Sequence, residues 1–390
     1  MALSAARPAS RPTYRSSPAF SSRWRDFDLY MLITTTVLMG FGVVSIWSAT
    51  GGGALTIGSL AVRQALYGAV GIVLMILLAN FDYRIFSSFA WPLYGLGLTM
   101  LTLVLIPGIG SDLGLGARRW FLVAGTTIQP AEFVKPLTAI ALASFIASRG
   151  AAMAEPGNFL VSMLIAGAPM LLVFREPDLG TSVVYGIIWA SMMLVTRTRK
   201  LYFFALLALV LPTALVAWEF MLKDYQRARW LVFLNPESDR LGQGFNILQA
   251  EISIGSGGLF GFGLHGGTQS QAGLLKVRES DFIFSHASGM FGFIGMLALF
   301  ASFAILLWRC LRVVDTARDT FGQCLAIGLS GMLFFQAFVN IGMNLGLMPV
   351  TGITLPFVSS GLSSLWTFLG AEGLLQSILM RHRKLAFKPD

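Results

Sequence analysis

Asp281 is the residue with the clearest capacity for chemistry in this chain of 390 residues. It ends a polar, glycine-rich interval over 225–284 and stands at the mouth of an apolar helix predicted from residue 282. A carboxylate there loses hydration and can act as a general base, which makes it a candidate for function. Gln271 belongs to a run of amides and hydroxyls in the same interval and is a candidate substrate contact. A simple helix cap is the alternative interpretation of Asp281.

The motif TIQPAEFVKP brings further charge to the start of another apolar segment, with Gln129, Glu132 and Lys135. Glu132 and Lys135 are three residues apart, so they would share one face of a helix. Ions inside a membrane need partners, and the two form either a self-neutralising pair or a substrate contact.

Arg119 and Trp120 precede the motif. An arginine beside an aromatic ring suits a lipid phosphate or diphosphate, or ordinary snorkelling at the membrane interface.

Two other polar stretches are typical of structure around a site. The motif REPDLGTS predicts a helix start with Asp178 as the cap and Arg175 as a local partner. The stretch 340–364 is dense in Pro, Gly and Ser, which predicts a broken or re-entrant segment facing a polar cavity. Ser363 is its candidate substrate contact. The glycines over 255–267 lack a strand-to-helix context, so they are interpreted as tight turns.

The elements that must position these residues are membrane helices, because 55% of the chain is hydrophobic and only 12% is charged. The net charge of +9 is spread between apolar segments, which makes nucleic acid an unsuitable partner and membrane lipids a suitable one. Cys310 and Cys324 flank a basic loop and indicate neither a disulfide framework nor a metal site.

The predicted fold class is an all-α integral membrane protein with about ten transmembrane helices. Pro136 is expected to bend the fourth. The predicted spans are roughly 29–49, 62–80, 86–107, 131–148, 158–174, 179–196, 201–221, 282–307, 322–345 and 355–379.

A single membrane domain over 26–380 is expected between a basic, disordered tail (1–25) and a short second tail (381–390). Most of the 28 Lys and Arg residues fall on one set of loops, which predicts that both termini are cytoplasmic. The long loop over 222–281, between the seventh and eighth helices, is then extracytoplasmic.

Several motifs of other enzyme classes are missing from the sequence. There is no phosphate-binding GxxxxGK[ST], so no nucleotide-driven function is indicated. The histidines His265, His286 and His382 are far apart and have no metal-ligand spacing. No metal site and no certain cofactor are predicted, and a divalent cation is left open.

The motifs RRW, IQPAEFVK, REPDLGTS, GSGGLFGFGLHGGTQSQ, SDFIF and NIGMNLGLMPVTGITLPFVSSGLSS, in this order, resemble the bacterial SEDS (shape, elongation, division and sporulation) family. The resemblance is closer to its RodA branch than to FtsW, and it covers the chain from about residue 26 to the end of the tenth span. It implies a ten-helix peptidoglycan glycosyltransferase for cell elongation and shape. Such an enzyme polymerises lipid II, an undecaprenyl diphosphate-linked disaccharide-peptide, at the outer face of the bacterial plasma membrane, beside a class B penicillin-binding protein transpeptidase.

The resemblance also assigns roles to residues. Asp281 matches the family's essential aspartate, and Trp120, Gln129, Glu132 and Lys135 match its outer-loop and fourth-helix pattern.

The sequence departs from the family pattern close to that aspartate. Lys276 and Val277 replace a Pro-Glu pair ahead of it, and Gly289 and Met290 replace a Glu-Glu pair after it. The missing carboxylates predict less like-charge repulsion at Asp281, hence a weaker base than in close relatives.

Two alternatives to the enzyme remain. One is a transporter or flippase of a polyprenyl-linked precursor, since fold alone cannot separate the two. A transporter should carry polar groups in the cytoplasmic half of its core, whereas the polar motifs here cluster at the outer side. The other is a diverged, inactive scaffold for a transpeptidase, which the departures around Asp281 keep open.

Overall fold

The computed structural model describes residues 24–112, 117–123, 125–199, 201–206, 208–209, 212, 219, 224–239 and 242–382. The described elements are α1 (Leu29–Ala49), α2 (Leu60–Asn80), α3 (Tyr83–Ser88), α4 (Ala90–Leu105), β1 (Phe121–Val123), β2 (Thr126–Ile128), α5 (Pro130–Arg149), α6 (Pro156–Arg175), α7 (Leu179–Leu194), α8 (Asp224–Leu234), α9 (Gln243–Ser256), α10 (Thr268–Gln271), α11 (Ile283–Thr316), α12 (Thr320–Asn344) and α13 (Leu362–Leu379). Short 3₁₀ turns cover Trp24–Asp26, Gly150–Ala154, Pro236–Asp239 and Gly263–His265.

Among the described residues, six helices are long and apolar enough to cross a membrane: α1, α2, α5, α6, α11 and α12. The apolar helices α4 and α7 are shorter. The predicted third span is divided into α3 and α4, and about half of the predicted seventh span, 201–221, lies outside the described residues. The all-α membrane class is therefore confirmed, while the total of ten spans stays a prediction.

The first departure from an all-α chain is a small hairpin. Strands β1 and β2 pair antiparallel, with Phe121 opposite Ile128 and Val123 opposite Thr126. The hairpin lies directly before α5, which begins with Pro130 at a position where a missing N–H costs nothing. It therefore sets where Trp120 and Gln129 enter the helical bundle.

Asp side chains fix the start of several helices. Asp28 accepts hydrogen bonds from the first backbone N–H groups of α1, Asp82 does so for α3, Asp178 for α7 and Asp319 for α12. Such caps satisfy N–H groups that have no partner within the helix. The prediction that Asp178 caps a helix is confirmed.

Helix α12 forms the centre of the bundle and packs against α11, α7 and α5, while α13 packs along α2. Most of the described core is one large apolar cluster that extends across these helices, and two small clusters accompany it. Helix α5 continues past Pro136 to Arg149.

Helix α11 is broken near its start, which the predicted span 282–307 did not anticipate. Gly292 has φ 62° and ψ −166°, so the backbone leaves the helical path there and resumes it over the following residues. The N–H groups of Phe293 and Ile294 donate to the carbonyls of Gly258 and Leu259, at 2.9 and 3.1 Å. The glycine-rich loop thus supplies the partners that the break removes, as irregular backbone within a membrane requires.

The glycines of this loop are required by its close packing against α11. A Cβ at Gly257 or Gly261 would overlap the backbone carbonyls of Ser288 and Met290 on α11. The prediction of tight turns therefore covers only part of their role, because these glycines also permit direct backbone contact between loop and helix.

The stretch between α12 and α13 has no regular helix, and the last predicted span, 355–379, begins only at Leu362. Asn340 donates to the carbonyl of Ile353 at 2.7 Å, and Ser359 Oγ accepts from the N–H of Leu355 at 2.8 Å. The expected broken segment is confirmed, and polar side chains satisfy part of its backbone.

Candidate functional site

Asp281 is half-buried at the entry to α11, where two asparagines of α12 hold its backbone. Asn340 Nδ2 and Asn344 Nδ2 donate to the Asp281 carbonyl at 3.2 and 2.9 Å. Asn344 Oδ1 also accepts from the Ser285 hydroxyl at 2.6 Å. The carboxylate is thus presented from a fixed backbone rather than from a mobile loop end.

The irregular stretch 345–361 closes over the same residues. Ser359 Oγ donates to the Ser280 carbonyl at 2.7 Å, and the Ser360 N–H donates to the Glu279 carbonyl at 2.9 Å. Gln64 of α2 donates to the Ser359 carbonyl at 3.1 Å. Three parts of the chain far apart in sequence therefore meet around Asp281.

These elements enclose a cavity of ≈ 230 Å³, the Asp281 cavity. Asp281, Trp120, Gln129, Glu132 and Ser363, all predicted site residues, line it. The remaining lining residues are small or hydroxylated for the most part: Thr127, Thr181, Ser280, Gly352, Thr354, Ser360, Gly361, Leu362 and Ser364.

Burial changes the acidity of the catalytic candidate. Loss of hydration raises the pKa of Asp281 to about 6, although the hydroxyl of Ser280, 3.2 Å from Oδ1, and the charge of Arg229 act in the opposite direction. The nearby carboxylates of Asp178 and Glu279 raise the pKa further. The group is therefore ionised at neutral pH but far more basic than an ordinary aspartate, which suits proton abstraction.

Gln129 joins the hairpin, α7 and α13 at the wall of the cavity. Its backbone N–H donates to Ser363 Oγ at 2.8 Å, and its side-chain Nε2 donates to Asp178 Oδ2 at 3.2 Å. Asp178 in turn accepts from the N–H of Thr181 at 3.0 Å. The position of both amide and hydroxyl is therefore set by protein contacts.

Arg119 does not line the Asp281 cavity. Its guanidinium donates to the carbonyls of Glu176 and Pro177 at 2.8 and 2.5 Å and lies 3.9 Å from Asp178 Oδ2. Arg175 was the expected local partner, but it is exposed and makes no ion pair with Glu176 or Asp178. Arg119, from the loop before the hairpin, is therefore the arginine that stabilises the turn between α6 and α7.

Glu176 is fully buried in the same turn, and neither carboxyl oxygen has a hydrogen-bond partner among the described residues. Burial, and next the charge of Asp178, raise the pKa of Glu176 to about 9, against the effect of Arg119. The side chain is therefore a neutral acid at pH 7, a feature the sequence motif alone does not reveal.

Lys135 is 0% exposed and binds Glu132 Oε2 at 2.7 Å, with its Nζ 5.8 Å from the ring centre of Phe368. Only Glu132 of this pair reaches the cavity lining. Of the two alternatives from sequence, the geometry favours the self-neutralising pair, and a substrate contact by Lys135 stays a prediction.

Gln271 lies in a different place from the other predicted residues. It lines a second polar cavity of ≈ 530 Å³, the Arg278 cavity, together with Arg278, Ser270, Ser48, Trp47 and Leu264. The polar interval over 225–284 thus contributes to two cavities.

Polar groups missed by the sequence analysis lie at the opposite end of the bundle. Thr35 Oγ1 donates to the fully enclosed Glu372 at 2.7 Å, and Arg309 Nε donates to Asp28 Oδ2 at 2.6 Å. The prediction that polar groups cluster at the outer side is therefore wrong, and it gives no ground for rejecting a transporter. The signal was a lone Glu within an apolar segment.

Within the described part of the chain, no group of three or more His, Cys, Asp or Glu side chains could hold a metal ion. Asp281 and Glu132 are the carboxylates that line the Asp281 cavity. They are the groups that a cation carried in by a substrate would meet there.

Comparison with known families gives a match over most of the chain. Residues 28–384 match the family model for cell cycle proteins of the FtsW, RodA and SpoVE type. The chain is 35% identical to the peptidoglycan glycosyltransferase MrdB of Escherichia coli K12, over 93% of this chain and 95% of that one. It is also 35% identical to stage V sporulation protein E of Bacillus subtilis, over 90% and 96% of the two chains.

Solved structures agree with these sequence matches. A chain from a peptidoglycan synthase complex that coordinates polymerization and crosslinking superposes with a TM-score of 0.78 at 28% identity, covering 91% of this chain and 98% of that one. The rod shape determining protein RodA of Thermus thermophilus gives a TM-score of 0.66 at 26% identity, with coverage of 91% and 97%.

Proposed function

Because the chain belongs to the family of FtsW, RodA and SpoVE, we propose that it is a peptidoglycan glycosyltransferase of the plasma membrane that serves cell shape. It polymerises lipid II into glycan strands. The observation that carries the proposal is the half-buried carboxylate of Asp281 in a cavity lined from four separate parts of the chain.

In the proposed reaction Asp281 accepts the proton of the attacking sugar hydroxyl. The hydroxyl oxygen forms a bond to the anomeric carbon of the second sugar, and the bond from that carbon to the diphosphate breaks. Gln129 and Ser363 hold one of the two sugars by hydrogen bonds, and Trp120 offers an aromatic wall. The lipid diphosphate leaves with the electron pair of the broken bond.

The lipid part of the substrate is assigned to an apolar groove of ≈ 500 Å³ beside the Asp281 cavity. Residues 351–354 separate the two spaces, and they alternate: Thr351 and Ile353 line the groove, whereas Gly352 and Thr354 line the Asp281 cavity. Arg229 lies in the wall of the groove and acts electrostatically on Asp281. It is therefore placed to attract a diphosphate at the junction.

The same proposal includes orientation and partner. The end of the bundle that carries Asp281 faces outward, and both termini are cytoplasmic. A penicillin-binding protein that crosslinks strands assembles with this chain, which the similarity to a chain of a polymerising and crosslinking complex supports.

The test is the purified full chain with lipid II, in wild-type form and as Asp281→Asn. The substitution preserves size but removes basicity, so glycan synthesis is expected to fall about 10²–10⁴-fold while the protein stays folded in detergent. Glu155→Gln, an exposed carboxylate at the opposite end of the bundle, is the matched control and keeps wild-type activity. Synthesis by Asp281→Asn within a few-fold of wild type would remove Asp281 as the base.

A further inference from the structure

The Arg278 cavity is built from side chains that are held in place. His286 is 0% exposed, with Nδ1 2.7 Å from Ser270 Oγ and Nε2 3.2 Å from Ser48 Oγ. A neutral imidazole has one donor and one acceptor nitrogen. The imidazole therefore fixes the direction of both hydrogen bonds. One serine hydroxyl donates its proton to the ring. The other hydroxyl accepts the ring N–H, so its own proton remains available to a ligand.

Arg278 is anchored on one side and open on the other. Its Nε donates to the carbonyl of Ala49 at 2.7 Å, and Nη1 donates to the carbonyl of Ser270. Nη2 has no hydrogen-bond partner among the described residues. A guanidinium held in this way presents its remaining donors to an anionic group such as a carboxylate.

Trp47 completes a set of groups suited to a sugar. Its Nε1 donates to the carbonyl of Gly53 at 2.9 Å, which fixes the indole, and its side chain lines the cavity. An oriented aromatic surface with a few placed hydroxyl, amide and guanidinium groups is typical of a site for a polar, ring-shaped ligand.

Size distinguishes the two cavities. The Asp281 cavity, at ≈ 230 Å³, is smaller than the roughly 300–1,000 Å³ of most ligand pockets, whereas the Arg278 cavity, at ≈ 530 Å³, lies within that range. One segment of the chain lines both cavities, because Gln271 and Arg278 line the larger one and Asp281 lines the smaller one. A strand polymerase must bind two saccharides at once.

We propose that the Arg278 cavity binds the second saccharide of the reaction, an amino-sugar unit whose attached peptide carries a carboxylate. The inference rests on the proposed function. Two sources share this chemistry: the glycan strand under extension, and a second molecule of the lipid-linked precursor.

Binding experiments with the full-length protein in detergent test the assignment without any turnover. One probe is a lipid-free, fluorescently labelled glycan-peptide oligomer, and the other is lipid II. The variants are Arg278→Gln, which removes the guanidinium, and Trp47→Leu, which removes the indole. Loss of a charge-assisted hydrogen bond should weaken binding about tenfold or more. Lys276→Gln, an exposed cation on the same segment, is the matched control and should bind as wild type does.

Weakened oligomer binding in both variants supports the proposal with the strand as occupant. Weakened binding of lipid II alone supports it with the precursor as occupant. If folded Trp47→Leu and Arg278→Gln bind both probes as tightly as Lys276→Gln does, the proposal is overturned.

Asp281→Asn separates the role of Asp281 as the base from the assignment of the Arg278 cavity, because this variant should bind the oligomer normally even where it makes no glycan. Full polymerisation by Asp281→Asn would contradict the proposed base and leave this cavity assignment intact.

Discussion

At the scale of the residue, the hydration of the Asp281 carboxyl sets its acidity and hence the pH at which the enzyme works. Its pKa is raised by burial to about 6, so the carboxyl is protonated below that pH and cannot accept a proton. Glycan synthesis by the wild type should therefore be low at pH 5 and rise through about pH 6 to a plateau. Initial rates on lipid II across this range measure it, and a flat profile from pH 4.5 upward would contradict a buried base.

Gly289 and Met290, which replace the acidic pair of the family, affect packing as well as the charge near Asp281. Loss of like-charge repulsion predicts a weaker base, yet burial is the largest influence on the Asp281 carboxyl. Met290 is fully buried, and a Cβ at Gly289 would lie 3.1 Å from Ser253 Oγ. Glutamates restored at these positions would enter tightly packed space, so their first effect would be on folding.

The Glu132–Lys135 pair gives a prediction about stability. Lys135→Met leaves Glu132 as a buried, uncompensated charge, and breaking such a pair typically costs about 3–5 kcal/mol. The thermal midpoint in detergent should fall clearly. Glu132→Gln combined with Lys135→Met should recover most of the stability, because no charge is then left unpaired.

Activity of the double variant separates structure from substrate contact. If folded protein with both substitutions makes glycan, the pair is structural. If it folds and makes none, the carboxylate of Glu132 or the ammonium of Lys135 acts on substrate directly.

How far the sequence predicts the site depends on side-chain length and partners. Trp120, Gln129 and Ser363 reach the predicted cavity because each stands at the edge of a helix or strand that ends there. Arg119 lies next to Trp120 in sequence, but its long side chain finds carbonyls in another loop. Such partners are set by tertiary structure, which motif spacing does not encode.

At the scale of the element, the glycine loop and the broken helix α11 behave as one unit. Gly257 has no room for a side chain because the Ser288 carbonyl lies against it, whereas Gly255 has no neighbour within 4 Å. Gly257→Ala should therefore push the loop from α11 and cost about 1–3 kcal/mol. Gly255→Ala lies in α9 and should be neutral or stabilising by up to about 1 kcal/mol.

Thermal unfolding of the two variants in detergent provides the comparison. Equal midpoints for both would show that the loop does not depend on close backbone contact. The break itself could not be foreseen, because apolar residues continue on both sides of Gly292 and periodicity records no interruption.

At the scale of the whole molecule, orientation in the membrane is the prediction to test. The basic residues predict that Ser238 faces outward and Thr198 faces the cytoplasm. In intact cells Ser238→Cys should react with an impermeant thiol reagent, and Thr198→Cys should react only after permeabilisation. The native Cys310 and Cys324 are both buried, so the wild type is a low-background control. The reverse pattern would invert the topology.

The order of the helices along the chain follows from hydrophobicity, but their association does not. The first and last described helices are joined by Asp28 and Gln376, whose backbone and side-chain groups exchange hydrogen bonds at 2.9 Å. Arg309 of α11 joins the same group. Contacts between residues so distant in sequence leave no local pattern, so only the three-dimensional structure reveals them.

The break in α11 also gives the molecule two built-in reporters. The amide hydrogens of Phe293 and Ile294 are bonded to the loop and not to their own helix. They can exchange with deuterated solvent only when the loop lifts, whereas neighbouring amides in the helix need the helix itself to open. Their protection therefore measures the free energy of loop docking separately from the stability of the bundle.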